Sequence, residues 1–251
     1  MHARIDFNCD LGEGCGDDAE ILPHVSSANV ACGGHAGDED TMRATLRLCR
    51  QFGVAAGAHP SFDDREHFGR RALAVAPDEV ARMVRTQMQR LADIAREEDV
   101  RLTHVKPHGA LYNLAADDRD VANAIASTVA QFDPSLVLFG LSGSALTEAG
   151  EHHGLHVAHE VFAERGYDAR GRLLPRGTPG AVIESLEQAI AQVRRLALQG
   201  EVVAADGSIV QLQADTLCLH GDRSDAAEFA RAVRDALQAD GIAVAAIGAQ
   251  R

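Results

Sequence analysis

Residues 102–113 read LTHVKPHGALYN, and the change of character inside this stretch decides how the chain folds. LTHV is a short apolar run of strand length, KPHG interrupts it, and a helical pattern follows. A strand that runs straight into a helix is the repeating unit of parallel β/α architecture. The interruption also carries chemistry. Pro107 stiffens the turn and Gly109 lets the chain bend closely, so Lys106 and His108 are held in a fixed relation at the strand's end. Lysine offers a positive point charge for a carboxylate or phosphoryl oxygen, and histidine offers proton transfer near neutrality.

The same unit recurs on both sides. Upstream, residues 3–8, 28–32 and 54–60 read as strands, and Met42, Leu46 and Cys49 mark one face of a helix over 41–52. Pro77, followed by Asp78 and Glu79, opens a helix whose stripe runs from Val80 through Val84, Met88 and Leu91. Downstream, Asp117 is expected to cap a helix through Val121, Ile125 and Val129, and a short helix starts near Ser144. Strands follow at 136–140, 155–160, 216–221 and 242–247, with a helix over 224–241. Residues 162–178 read as a long ordered loop, a helix is expected from near Pro179 to Leu198, and Asp206-Gly207 marks a hairpin outside the repeat. Seven or eight strands at this density favour an α/β fold, a closed or nearly closed parallel barrel, as one domain over residues 1–251. No GxGxxG follows the first strand, which counts against a dinucleotide fold.

In such a barrel the active site is built at the C-terminal ends of the strands. Those ends carry Asn8, Asp10 and Glu13; Gly33, Gly34 and His35; His59; Lys106 and His108; Glu160 followed by Glu164 and Arg165; and His220 with Asp222. Each has a bland alternative, such as a turn-capping Asp10, a buried structural His59, or a mere tight turn at the glycines. Their shared position lifts the cluster above those readings. His2, His24, His67, His152, His153 and His156 fall elsewhere and read as structural or solvent-facing.

Composition narrows the partners. A formal charge of -13 argues against nucleic acid as the main partner, and no window is long and apolar enough to span a bilayer. With no Trp and only 2 Tyr, a stacking platform for bases or sugars has few residues to draw on. Five cysteines without CxxC spacing fit free thiols in a reducing compartment, and the expected location is the cytoplasm.

Six blocks together resemble the LamB/YcsF family: DFNCDLGEG (6–14), SANVACGGHAGD (27–38), GAHPSFDD with FGRR (57–71), VKPHGALYN (105–113), EVFAERGYDARGRLLPRG (160–177) and LCLHGD (217–222). The resemblance runs through nearly the whole chain. It implies a distorted TIM-like β/α barrel, complete or incomplete, similar to the glycoside hydrolase/deacetylase group, and action with partner subunits B and C of an ATP-hydrolysing 5-oxoprolinase. The substrate it implies is 5-oxo-L-proline, opened to L-glutamate with ATP consumed and Mg²⁺ entering with the nucleotide. On this reading Asp10, Glu13, His35, His59, Lys106 and His108 are the catalytic candidates. Asn8, Gly33, Gly34, Glu160 and Arg165 are the substrate-binding ones, with the glycine amides facing developing negative charge and Arg165 facing the substrate carboxylate. ATP already serves as activator, so no built-in transition metal is expected; Asp10, His59 and His108 are the ligand types one would use. Two other readings stay open: a metal-dependent deacetylase or amidohydrolase acting alone, and a protein that only binds a small anion. The absence of GxxxxGK[ST] implies that this chain supplies part of a composite ATP-dependent site.

Overall fold

The computed structural model describes residues 4–15 and 17–247. Ala3, the first residue of the expected opening strand, and His2 lie outside them. In chain order the elements are β1 (Arg4–Leu11), α1 (Asp18–Ile21), β2 (Ser27–Ala31), α2 (Glu39–Phe52), β3 (Ala55–His59), α3 (Pro77–Glu97) and β4 (Leu102–Val105). Then come α4 (Gly109–Asp117), α5 (Arg119–Phe132), β5 (Val137–Leu141), α6 (Ala145–His152), β6 (His156–Phe162) and α7 (Leu186–Gln199). The chain ends with β7 (Glu201–Val203), β8 (Ile209–Gln211), β9 (Thr216–His220), α8 (Ala226–Ala239) and β10 (Ala243–Val244).

Strands β1 to β6 pair in sequence order, β6 pairs with β9, and β9 pairs back with β1, all in parallel. The result is a closed seven-stranded barrel. β10 pairs only with Arg4 and Ile5 of β1, ahead of the point where β9 takes over at Asp6. The expected strand at 242–247 is therefore reduced to two residues at the rim. β7 and β8 form the antiparallel hairpin around Asp206-Gly207, as a separate sheet.

Alternation along β1 explains why the barrel holds polar groups. Ile5, Phe7, Cys9 and Leu11 join the hydrophobic layer beneath the helices, while Asp6, Asn8 and Asp10 bond to side chains of other strands. The helical side of that layer is regular. Val80, Val84, Met88 and Leu91 of α3 are fully buried in it, each contributing about 1.5–3 kcal/mol. At the bottom of the barrel Asp6 accepts hydrogen bonds from Ser26 (2.7 Å) and Ser27 (2.6 Å), and also from Thr216. Buried polar groups persist only when paired in this way.

Two helix starts differ from expectation. The helix after β4 breaks at Asp118, whose carboxylate caps α5 by accepting from the amides of Asp120 and Val121; Asp117 ends α4 instead. α7 begins at Leu186, capped by Ser185, and not near Pro179. Residues 178–183 are instead tied to the loop after β6, through Gly166 N to Ala181 O and Ile183 N to Glu164 O. The four-residue α1 has an apolar pattern too short to register in the sequence.

Candidate active site

Lys106 follows β4 at the barrel mouth and is 2% exposed, which is tolerable only with counter-charges at hand. Its ammonium donates to Asp10 Oδ1 at 2.8 Å and lies 3.1 Å from Glu160 Oε1 and 2.9 Å from Cys218 Sγ. Asn8 and Asn29 tie the layer together. Asn29 Nδ2 donates to both Asn8 Oδ1 and Asp10 Oδ1, and Asn8 Nδ2 donates to Glu160 Oε1 and Thr216 Oγ1. His104 Nε2 donates to Asn29 Oδ1 at 2.9 Å. Burial works against the charge on Lys106, but Asp10 and Glu160 hold the ammonium well above the usual lysine range. Burial likewise opposes ionisation of Asp10, yet His59 and Lys106 hold its carboxyl well below the usual range.

Three imidazoles stand over this network. His59 Nδ1 donates to Lys106 O at 2.7 Å, and its Nε2 lies 3.2 Å from Asp10 Oδ2. His108 Nε2 donates to Phe68 O at 3.0 Å, and its Nδ1 lies 2.9 Å from His59 Nε2. His35 stacks flat on His108, with ring centroids 3.7 Å apart and planes 1° from parallel, and its Nε2 meets Glu13 Oε1 at 2.9 Å. Burial pushes His35 down to about 2 and His108 well below the ordinary histidine value. Burial, then Asp10, pushes Glu13 well above the usual carboxylate range. The loop over His108 is shaped for closeness. A side chain on Gly69 would stand 2.8 Å from His35 Cβ, and one on Gly109 would stand 2.6 Å from Gly69 O.

A cavity of about 420 Å³ opens at this mouth, and Asp10, His59, Lys106 and His108 line it beside Tyr112 and Arg165. Glu13 and His35 buttress the histidines from behind. The residues expected to bind substrate divide between the cavity wall and the layers around it. Asn8 and Glu160 are fully buried beneath the cavity and hold Lys106, so neither stands on its wall. Gly33 and Gly34 also lie off the wall: the Gly33 amide already donates to Ala36 O, and a side chain on Gly34 would run into Ser61 and Gln87. Arg165 reaches the cavity, but its Nε and Nη2 already bond Ala181 O and Leu174 O. Groups that the sequence reading passed over complete the site. They are Asn29, His104, Cys218 and Tyr112, and they join His220, which the strand-end rule picks out and which is bonded to Glu164. Among the described residues the buried Tyr112 hydroxyl and Glu160 Oε2 make no hydrogen bond of ordinary geometry, and burial followed by the adjacent Glu160 holds the phenol well above its usual value.

Glu13, His35, His59 and His108 do not converge on one tetrahedral metal ion as they stand. The donor atoms of Glu13, His35, His59 and His108 lie within 4.8 Å of one another. The His35 and His108 rings are nevertheless parallel, so their in-plane lone pairs never meet at one point. His59 Nε2 and His108 Nδ1 are 2.9 Å apart, closer than the roughly 3.3 Å that two nitrogens keep on a tetrahedral zinc with bonds of about 2.0 Å, and near the roughly 2.8 Å of neighbouring donors on an octahedral ion. Around Asp10 and Cys218, the Lys106 ammonium already occupies the position a cation would take.

The buried histidines have a measurable consequence in acid. Burial pushes His104 down to about 3, while an unfolded histidine titrates near 6.5. Its contribution to stability is present above about 6.5 and is lost as pH falls towards 3, because the unfolded chain then binds a proton that the fold refuses. We expect His104→Gln to be less stable than the parent at pH 7, and this gap in urea midpoint to narrow by pH 4.5. A gap independent of pH would mean that the fold does not shift His104, and a gap that widens in acid would mean that it is charged inside the barrel.

A closed seven-stranded parallel barrel with helices around it resembles the glycoside hydrolase/deacetylase group in fold. A peptidoglycan deacetylase from Bacillus subtilis superposes with a TM-score of 0.51 at 14% identity, covering 98% of this chain and 88% of that one. The chain itself belongs to the LamB/YcsF family, whose profile matches residues 5–251. It is 51% identical to the 5-oxoprolinase A subunit of Methylococcus capsulatus, over 99% of this chain and 97% of that protein. A lactam utilization protein from Thermus thermophilus superposes with a TM-score of 0.91 at 45% identity, covering 97% of this chain and all of that one. Among the described residues no helix is long and apolar enough to cross a membrane.

Proposed function

We propose that this chain is the A subunit of an ATP-dependent 5-oxoprolinase, opening 5-oxo-L-proline to L-glutamate together with subunits B and C. The observation that carries this reading is the 51% identity, along essentially the whole chain, to a 5-oxoprolinase A subunit. The site supports it chemically. A five-membered lactam is a stable amide, and its opening needs stabilisation of charge on the carbonyl oxygen and a proton for the departing nitrogen. Lys106 supplies fixed positive charge at the cavity, and His59 and His108 supply proton transfer. Arg165 Nη1, beside the engaged Nε and Nη2, faces the substrate's carboxylate, and the Tyr112 hydroxyl faces its amide. ATP, with Mg²⁺ bound to it, activates the lactam oxygen, and the partner subunits complete the phosphate site, because the chain has no GxxxxGK[ST] loop of its own.

The experiment is an omission assay that follows phosphate and glutamate. The isolated chain should show negligible 5-oxoproline-dependent ATP hydrolysis, with robust glutamate formation only when all three subunits are present. Coupled turnover by this chain alone would refute partner dependence. Amide hydrolysis that needs no ATP would favour an amidohydrolase acting alone.

A further inference from the structure

Taking the 5-oxoprolinase reading as given, we propose that Arg176 joins Arg165 in a two-guanidinium clamp on the substrate's carboxylate, as a specificity-determining residue of this site. Both arginines line the cavity, on the loop that follows β6. Arg165 is 4% exposed, and its Nε and Nη2 are taken by Ala181 O and Leu174 O, which leaves Nη1 free. Arg176 is exposed at the rim. Among the described residues no carboxylate pairs with either guanidinium. Glu164, beside Arg165 in the chain, bonds to His220, and Asp222 bonds to Arg70.

The backbone fixes where Arg176 stands. Thr178 N and Oγ1 both donate to Pro175 O, at 3.2 and 2.7 Å, closing a turn with Arg176 and Gly177 at its centre. Gly177, third in the turn, has a φ of 87°, which favours glycine. The rest of the loop is tied down on both sides. Arg165 is bridged to Val182 and Tyr167 to Leu173, and Arg172 Nε donates to Asp117 at the end of α4 at 2.8 Å. Arg176 thus has a fixed backbone and a free side chain. The two guanidiniums also feel each other, since burial and then the Arg176 charge push Arg165 down to about 10. Like charges held side by side cost free energy that an anion between them recovers. In a chain of formal charge -13 such a pair stands out from its background.

The shape of the substrate calls for this arrangement. In 5-oxoproline the ring nitrogen lies between the carbonyl carbon and the carbon that bears the carboxylate. A site that opens the ring therefore meets negative charge on both sides of that nitrogen. Lys106, at its strand end, serves the carbonyl side, and the guanidinium pair on the loop serves the carboxylate. Guanidinium forks match carboxylate oxygens in geometry. Phe162, Leu173 and Leu174, on the same wall, offer apolar surface to the ring's methylenes. A lactam without the carboxylate makes the same ring contacts but leaves the two like charges uncompensated.

The test is steady-state kinetics of the three-subunit complex carrying Arg176→Gln, a change at an exposed side chain. KM for 5-oxo-L-proline should rise about 10–100-fold, the worth of a charge-assisted hydrogen bond, with kcat within a factor of about three. KM for ATP should not move, and Arg176→Lys should recover part of the loss. 2-Pyrrolidinone, the same ring without the carboxylate, is the control: its inhibition of parent and Arg176→Gln should be equal. An unmoved KM for 5-oxo-L-proline would overturn the clamp. So would an equal weakening of 2-pyrrolidinone, which marks a general loss of shape, or a rise confined to the KM for ATP, which puts Arg176 on phosphate. In each of these cases glutamate formation by the parent complex leaves the 5-oxoprolinase reading standing. A parent complex that forms no glutamate would overturn that reading, and the clamp with it.

Discussion

Lys106→Met is expected to be the most damaging single change in the chain. Methionine matches the length of the stem but removes the charge, leaving Asp10 and Glu160 as buried carboxylates with no cation between them. Breaking a buried pair from one side costs about 3–5 kcal/mol, so the urea midpoint should fall sharply. Turnover in the reconstituted complex should fall by a further factor of about 10²–10³, the scale of losing one charge-stabilising group. The two effects can be separated. Adding Asp10→Asn and Glu160→Gln to Lys106→Met removes the stranded charges and should restore folding but not glutamate formation. A folded Lys106→Met chain with parental turnover would place the lysine outside the reaction altogether.

His108→Ala is expected to act almost wholly on kcat. His108 is anchored by a backbone carbonyl and stacked on His35, so its removal leaves the barrel intact and takes one member from the proton-transfer pair. Loss of general acid–base catalysis is worth about 10²–10⁴-fold, and KM should change little if substrate is held by other groups. Steady-state kinetics of the three-subunit complex at saturating ATP make the distinction. A large rise in KM with unchanged kcat would recast His108 as a binding group.

Much of this site could be read from the sequence because a parallel barrel gathers its strand ends at one mouth. Asp10, His59, Lys106 and His108 each follow a short apolar run, and the rule that places such residues together needs no contact information. Asn29, His104 and Cys218 were invisible for the opposite reason. They sit inside strands, where alternation normally signals a solvent-facing polar side, and only closure of the sheet turns that side inward. The glycines at 33 and 34 are ambiguous in the sequence, because permissive backbone looks the same whether it serves a ligand or a tight turn. Here the Gly33 amide is satisfied within its own turn. The start of α7 was misplaced because Pro179 suits a first helical position, whereas the segment around it is hydrogen-bonded to residues just after β6.

Closure of the barrel also sets an order of events during folding. The last barrel strand, β9, registers Thr216 against Asp6, a contact spanning 210 positions, and it brings Cys218 to Lys106. Contacts of such separation form late, since the chain must give up the entropy of a very large loop before any is made. Until then the sheet from β1 to β6 is an open trough, and water reaches Asp10, Lys106 and Glu160. Their mutual attraction is weak in water and becomes strong only when the trough seals. A nascent chain should therefore pass from inert to competent in a single late step, with no half-active intermediate for its partners to capture.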